Sequence, residues 1–279
     1  MPIKTRQDMF IRSVIPSDEP LVLRYKKVCS AAPTPMANIT KWFTATIPTN
    51  SQEQTPACES YSTTNVIEML ARYYGADDAI PVGYQIDPTP LFAYARHKTA
   101  PNEDVNADGL PLGTSLTCAV EMGILPPSTE VIKIGMDIGE LHSQLLVAPM
   151  VIGVMVSQQW ATPNTENGYI KPNEGLDLGS GGHAVAFMGV RSQMHEDAYG
   201  KDIQVWYLNF QNSWVLEDGT PWGWNGYGML SQGNFNYNAL GNPFSVKITD
   251  PWISTFKEWV LNDDWRNKWL TKTWVGPQP

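Results

Sequence analysis

Three side chains far apart in the chain could together perform acyl transfer: the thiol of Cys58, the imidazole of His183 and the carboxamide of Asn212. A thiol is a useful nucleophile only as thiolate, which the positive end of a helix dipole and a nearby imidazolium both favour. A carboxamide can orient that imidazole by accepting from its other nitrogen. Attack on a carbonyl also calls for a donor to the developing oxyanion. Gln52, six residues before Cys58 in an extended approach, can place its side-chain amide beside the Cys58 backbone N–H. Cys29, Cys118, His97, His142 and His195 have no comparable neighbours. The two thiols read as small buried apolar groups, Cys118 within the run Leu116–Val120, and the three histidines as surface residues.

The elements that must position these groups can be read from periodicity. Val66, Met69, Leu70, Tyr73 and Tyr74 form the stripe of an amphipathic helix that Gly75 can stop. Pro56 disfavours helix for its predecessor, so this helix should begin close to Cys58 and leave the thiol at its N-terminus. A second helix is expected from Gly113-Thr114-Ser115 to Met122-Gly123, with Ser or Thr as cap, and residues 150–157 read as a buried strand. The loop 158–182 ends in Gly179-Ser180-Gly181-Gly182. Two apolar runs, 183–190 and 203–210, flank a polar segment containing Gly200 and predict an antiparallel hairpin. Centring the pair there makes opposed residue numbers sum to about 395, which sets His183 opposite Asn212 on one sheet face. Residues 1–50 read as extended covering segments. Asp250-Pro251, as N-cap and N1, followed by Trp252, Phe256, Trp259, Val260 and Leu270, predicts one added C-terminal helix.

The flanks of these residues resemble those of papain-like cysteine peptidases. Gln52-Glu-Gln-Thr-Pro-Ala-Cys58 is similar to the nucleophile motif of bacterial and viral branches with a Gln-x-Gln-x-x-small-Cys form. Gly182-His183-Ala-Val-Ala-Phe-Met-Gly resembles the histidine strand, Phe210-Gln-Asn212-Ser-Trp214 the asparagine motif, and Trp222-Gly-Trp-Asn-Gly226-Tyr227-Gly228 the segment after it. His183 and Asn212 follow Cys58 by 125 and 154 residues, close to the roughly 130 to 150 of papain-type enzymes. The resemblance implies an α+β fold of two subdomains, a helical left half with Cys58 and an antiparallel β right half with His183 and Asn212, and an active-site cleft between them. It implies a Cys58–His183–Asn212 triad with Gln52 as oxyanion donor, substrate contacts from Gly109, Leu110, Gly182 and Trp214, and Trp214 also shielding the Asn212–His183 hydrogen bond. Two positions depart from the pattern: Glu59 stands where the family carries an aromatic, and Thr55-Pro56-Ala57 where it carries Cys-Gly-Ser.

Residues 1–249 are expected to form the peptidase domain, with 1–51 lacking the periodic charged helix of a typical propeptide, and 250–279 a Trp-rich extension. The expected reaction is hydrolysis of peptide or isopeptide bonds without cofactor or metal. The alternative is a papain-like structural or assembly component, for example of a viral particle, docked on a protein partner through Trp252–Trp274. Asn102–Gly109 alternates oxygen ligands like a calcium loop but lacks the bidentate Glu, so it reads as a solvated turn. A net charge of −9 argues against a nucleic-acid-binding surface. A polar start and no run of about 20 apolar residues argue against a secretory leader and a membrane span, and so for a cytoplasmic or particle-associated protein.

Overall fold

Pro56 and Ala57 end an extended approach, and the chain turns at once into the helix that anchors the left half. The structure is a computed structural model that describes residues 14–15, 38–43, 52, 55–75, 79–104, 108–161, 164, 166–171, 181–196, 199–215 and 220–272. Most of the N-terminal covering segment, Cys29, Gly179, Ser180 and Trp274 lie outside these residues. In chain order the strands are β1 (Val14–Ile15), β2 (Tyr84–Ile86), β3 (Leu110–Pro111), β4 (Val131–Lys133), β5 (Met150–Val156), β6 (Gly181–Glu196), β7 (Asp202–Gln211), β8 (Tyr227–Ser231), β9 (Phe244–Val246) and β10 (Leu270–Lys272). The α-helices are α1 (Cys58–Tyr74), α2 (Pro88–Thr99), α3 (Thr114–Glu121), α4 (Ile138–Leu145), α5 (Gln232–Asn238), α6 (Asp250–Val260) and α7 (Asp263–Trp269).

The right half is an antiparallel sheet of order β4-β9-β5-β6-β7-β8. Its central strands are apolar along most of their length, as befits strands covered on both faces; Phe187 and Phe210 are fully buried in them, and so is Phe235 of α5, packed on Phe187. Each such ring withdraws enough apolar surface from water to stabilise the fold by roughly 2 to 3 kcal/mol. Helix α1 packs against β6 on one side and against α2, α3 and α6 on others. Enclosure on several sides explains why its Ser, Thr and Asn residues, Ser60 to Asn65, are buried along with its apolar stripe. The fold is thus α+β with a helical and a β half, as expected from sequence.

The expected C-terminal helix is present as two. Thr249, not Asp250, caps α6, its hydroxyl accepting from Trp252 N–H at 3.3 Å. The chain turns at Leu261, and Asn262 caps α7 by accepting from Asp264 and Trp265 N–H at 2.8 and 3.3 Å. The indoles of Trp252, Trp259 and Trp265 donate to Thr129 Oγ1, Gly123 O and Ile124 O at 2.9, 3.0 and 3.0 Å. Strand β10 then pairs antiparallel with β2, Leu270 opposite Ile86. Among the described residues, no helix is long and apolar enough to cross a membrane.

Candidate active site

Cys58 opens α1 and is fully buried; the cap position, Ala57, brings no side-chain cap, so the first turn directs its positive end at the thiol. The strand carrying His183 runs alongside. Ala184 N–H donates to Cys58 Sγ at 3.2 Å, which joins the residue after His183 to the sulfur across the two halves. His183 lies opposite Val154 in the β5–β6 ladder and is fully buried.

His183 Nε2 lies 2.7 Å from Asn212 Oδ1, and Ser213 N–H donates to the same oxygen at 2.8 Å. A backbone N–H can only donate, so the Asn212 atom between the two is the carbonyl oxygen and His183 Nε2 must carry a proton. In the neutral ring Nδ1 is then the bare acceptor, and it forms no hydrogen bond in the buried site. Burial pushes the His183 pKa down to about 4, opposed in part by the Asn212 hydrogen bond, so the ring is neutral at pH 7. Trp214 stacks on the imidazole with centroids 4.1 Å apart and rings inclined by 25°. Trp160 meets the same imidazole edge-on at 6.2 Å, and its carbonyl accepts from the Trp222 indole at 2.7 Å.

The hairpin register differs from the expected one. Opposed numbers sum to 398 from Glu196↔Asp202 to Gly189↔Asn209, and to 397 at Phe187↔Phe210 and Ala186↔Gln211, because of an irregularity between Phe187 and Gly189. Strand β7 ends at Gln211, before Asn212 can pair. Asn212 instead donates its N–H to Gly226 O at 2.8 Å, and its side chain reaches His183 from the departing loop. Continuing the sum of 397 would set Trp214 opposite His183, and Trp214 is the residue stacked on that ring.

Gln52 is buried beside this loop. Its N–H donates to Ser213 O at 3.0 Å, its Oε1 accepts from Ser213 Oγ at 2.5 Å, and its Nε2 donates to Thr55 O at 3.1 Å. One of the two Nε2 hydrogens is therefore committed to its own turn. Of the residues expected to meet substrate, Gly109 has its carbonyl accepting from Arg96 Nη1 at 3.3 Å. Leu110 is fully buried and offers only its backbone in β3, where β1 already pairs parallel to it, Val14 opposite Leu110. Gly182 lies in β6 opposite Met155.

Glu59 is also fully buried, and its Oε1 accepts from Gly113 N–H at 3.0 Å while Oε2 accepts from Ser115 N–H at 3.0 Å. Burial outweighs these bonds and pushes its pKa up to about 7. Cys118 is buried in α3, its thiol pushed up to about 11 chiefly by burial. His97 and His195 are exposed, but His142 is buried on α4, contrary to its expected surface place, because it falls on the apolar face with Ile138, Leu141 and Leu145.

Sequence reasoning passed over Ser213, the contacts of Trp160 and the role of Glu59. Ser213 had a signal, since it follows Asn212 directly; the partners of Trp160 and Glu59 are distant in sequence. In the loop Asn102–Gly109, Glu103 pairs with Arg96 at 3.1 Å, and Asn106 lies outside the described residues. Among the described residues, no group of three or more His, Cys, Asp or Glu could hold a metal ion.

No family model matches the chain, and no curated protein does. Solved structures do match it. Xylellain, a cysteine protease from Xylella fastidiosa, is similar over 89% of this chain and 100% of its own, at 15% identity and a TM-score of 0.59. Procathepsin B S9 from Trypanosoma congolense is similar over 87% of this chain and 88% of its own, at 16% identity and a TM-score of 0.52. Digestive procathepsin L 3 of the Tenebrio molitor larval midgut is similar over 87% and 75%, at 14% identity and a TM-score of 0.51. The chain therefore has the fold of papain-like cysteine proteases.

Proposed function

We propose that the chain is a thiol peptidase hydrolysing peptide or isopeptide bonds. The observation that carries this reading is the junction of the halves: Cys58 Sγ beside the Ala184 N–H, next to an imidazole whose Nε2 is held by Asn212 and whose Nδ1 is bare. In the proposed sequence, Nδ1 takes the thiol proton as sulfur bonds to the substrate carbonyl carbon and the carbonyl electron pair moves onto oxygen. The Cys58 N–H and the second Nε2 hydrogen of Gln52 stabilise that oxyanion. Collapse breaks the C–N bond, the amine leaving with the proton from Nδ1. Water, deprotonated by the same nitrogen, then attacks the thioester and releases the acid and the Cys58 thiol. Asn212 holds the tautomer, and Trp214 keeps water from its hydrogen bond to His183. Gly109, Leu110 and Gly182 supply backbone to an extended substrate, which requires β1 to leave the β3 edge.

Iodoacetamide should label Cys58 selectively at neutral pH, and Cys58→Ala should abolish hydrolysis of fluorescein-labelled casein. Undiminished hydrolysis by the Ala variant would refute the proposal. The alternative, an assembly component docked through Trp252–Trp274, draws less support, since the indoles of Trp252, Trp259 and Trp265 bond to the protein's own body.

A further inference from the structure

The first turn of α3 needs an acceptor for its N–H groups, and its own cap cannot provide one. The cap is Gly113, at φ 83°, where a Cβ would lie 2.6 Å from the Phe244 ring. The positive φ and the Phe244 ring both hold this position to glycine, so the Ser, Thr or Asp that ordinarily caps a helix is barred here. The missing cap arrives from another element. Glu59, 54 residues earlier, accepts from Gly113 N–H at 3.0 Å and, through both oxygens, from Ser115 N–H at 3.2 and 3.0 Å. A second tie runs beside it, Ser60 Oγ to Ser115 Oγ at 2.8 Å. The residues after the thiol are thus fastened to the start of α3, directly behind the β3 segment.

We infer that Glu59 is a positioning residue: its carboxylate holds the Leu110–Gly113 side of the cleft at a set distance from the Cys58 thiol. A smaller apolar residue would avoid the desolvation cost of the buried carboxyl but would leave the Gly113 and Ser115 N–H groups without this acceptor. What Glu59 adds is a link from the backbone adjoining the nucleophile to the wall along which an extended peptide would lie. The inference rests on the peptidase reading, in which Leu110 backbone meets substrate.

The test compares two reagents that both alkylate Cys58: iodoacetamide, too small to need the cleft wall, and a peptidyl chloromethyl ketone, which must lie along it. The readout is the ratio of their second-order rate constants. Glu59→Ala should lower the peptidyl advantage by about 10-fold or more while changing the iodoacetamide rate less than about threefold, because displacement of a binding wall by about 1 Å is costly only to reagents that use it. Glu59→Gln, which keeps one acceptor oxygen and the packing, should recover most of the ratio. An unchanged ratio in Glu59→Ala, or equal slowing of both reagents, overturns the inference. If Glu59→Ala does not fold, Glu59→Asp decides: it keeps the carboxyl group but withdraws it by one methylene, and a ratio equal to wild type overturns the inference. A wild-type protein that neither reagent labels at Cys58 overturns the peptidase reading and this inference together; normal wild-type labelling with no dependence on Glu59 overturns this inference alone.

Discussion

Asn212 Oδ1 is shared by His183 Nε2 and the Ser213 N–H, at 2.7 and 2.8 Å, and this sharing decides which imidazole nitrogen is bare. Asn212→Ala removes the shared acceptor and frees the ring to turn. Its kcat on casein should fall about 100-fold, the usual scale for a misaligned acid–base group, with the fold intact by circular dichroism. Unaltered kcat would show that the ring needs no such hold.

Trp214 stacks on the His183 ring, and burial is the larger cause of the depressed His183 pKa of about 4. Trp214→Ala should therefore move the imidazole pKa upward, toward its ordinary value near 6.5, as water reaches it. NMR titration of the His183 ring protons checks this; a pKa still near 4 would assign the depression to the remaining walls, Trp160 among them.

Glu68 offers a stability test away from the cleft. Its Oε1 accepts from Ile86 N–H at 2.7 Å, Oε2 is buried without a hydrogen bond, and burial pushes its pKa up to about 7 from 4.5. A folded pKa raised in this way means that the folded state holds a proton the unfolded state has released. The contribution is full below pH 4.5 and lost as pH rises through about 7, a swing of about 3 kcal/mol. Glu68→Gln should melt several degrees above wild type at pH 8 and close to it at pH 5. A difference independent of pH would mean that the carboxylate is better solvated than its surroundings indicate.

The parallel pairing of Val14 and Ile15 with Leu110 and Pro111 occupies the edge that an extended substrate would use. Replacing both, Val14→Pro with Ile15→Pro, removes two backbone donors and should raise the casein hydrolysis rate several-fold by loosening β1. Equal rates would place substrate elsewhere than on β3.

Much of this arrangement was legible in residue patterns, and the exceptions have physical reasons. The start of α1 followed from Pro56, and the hairpin from two apolar runs, because both signals are local. Proximity of His183 and Asn212 was foreseen with a register off by three over most of the hairpin and by two at its end, since neither the irregularity near Met188 nor the end of β7 at Gln211 leaves a mark in an alternating pattern. Helix α2 went unread although Asp87 caps it and Pro88 opens it, because its apolar stripe is weak. The tie from Glu59 to α3 was invisible for a different reason. It answers a vacancy at Gly113 that exists only once Phe244 is packed there, and no local rule reports a need created by tertiary structure.

The β2–β10 pairing bears on the order of events during synthesis. Ile86 belongs to the half that carries the thiol, but its strand partner, Leu270, leaves the ribosome only after the whole right half has been made. The β2 edge is completed only by this long-range closure, and bringing such distant segments together costs loop entropy that slows folding. A nascent chain would therefore carry Cys58 on a half whose β2 edge is still unpaired until Leu270 emerges.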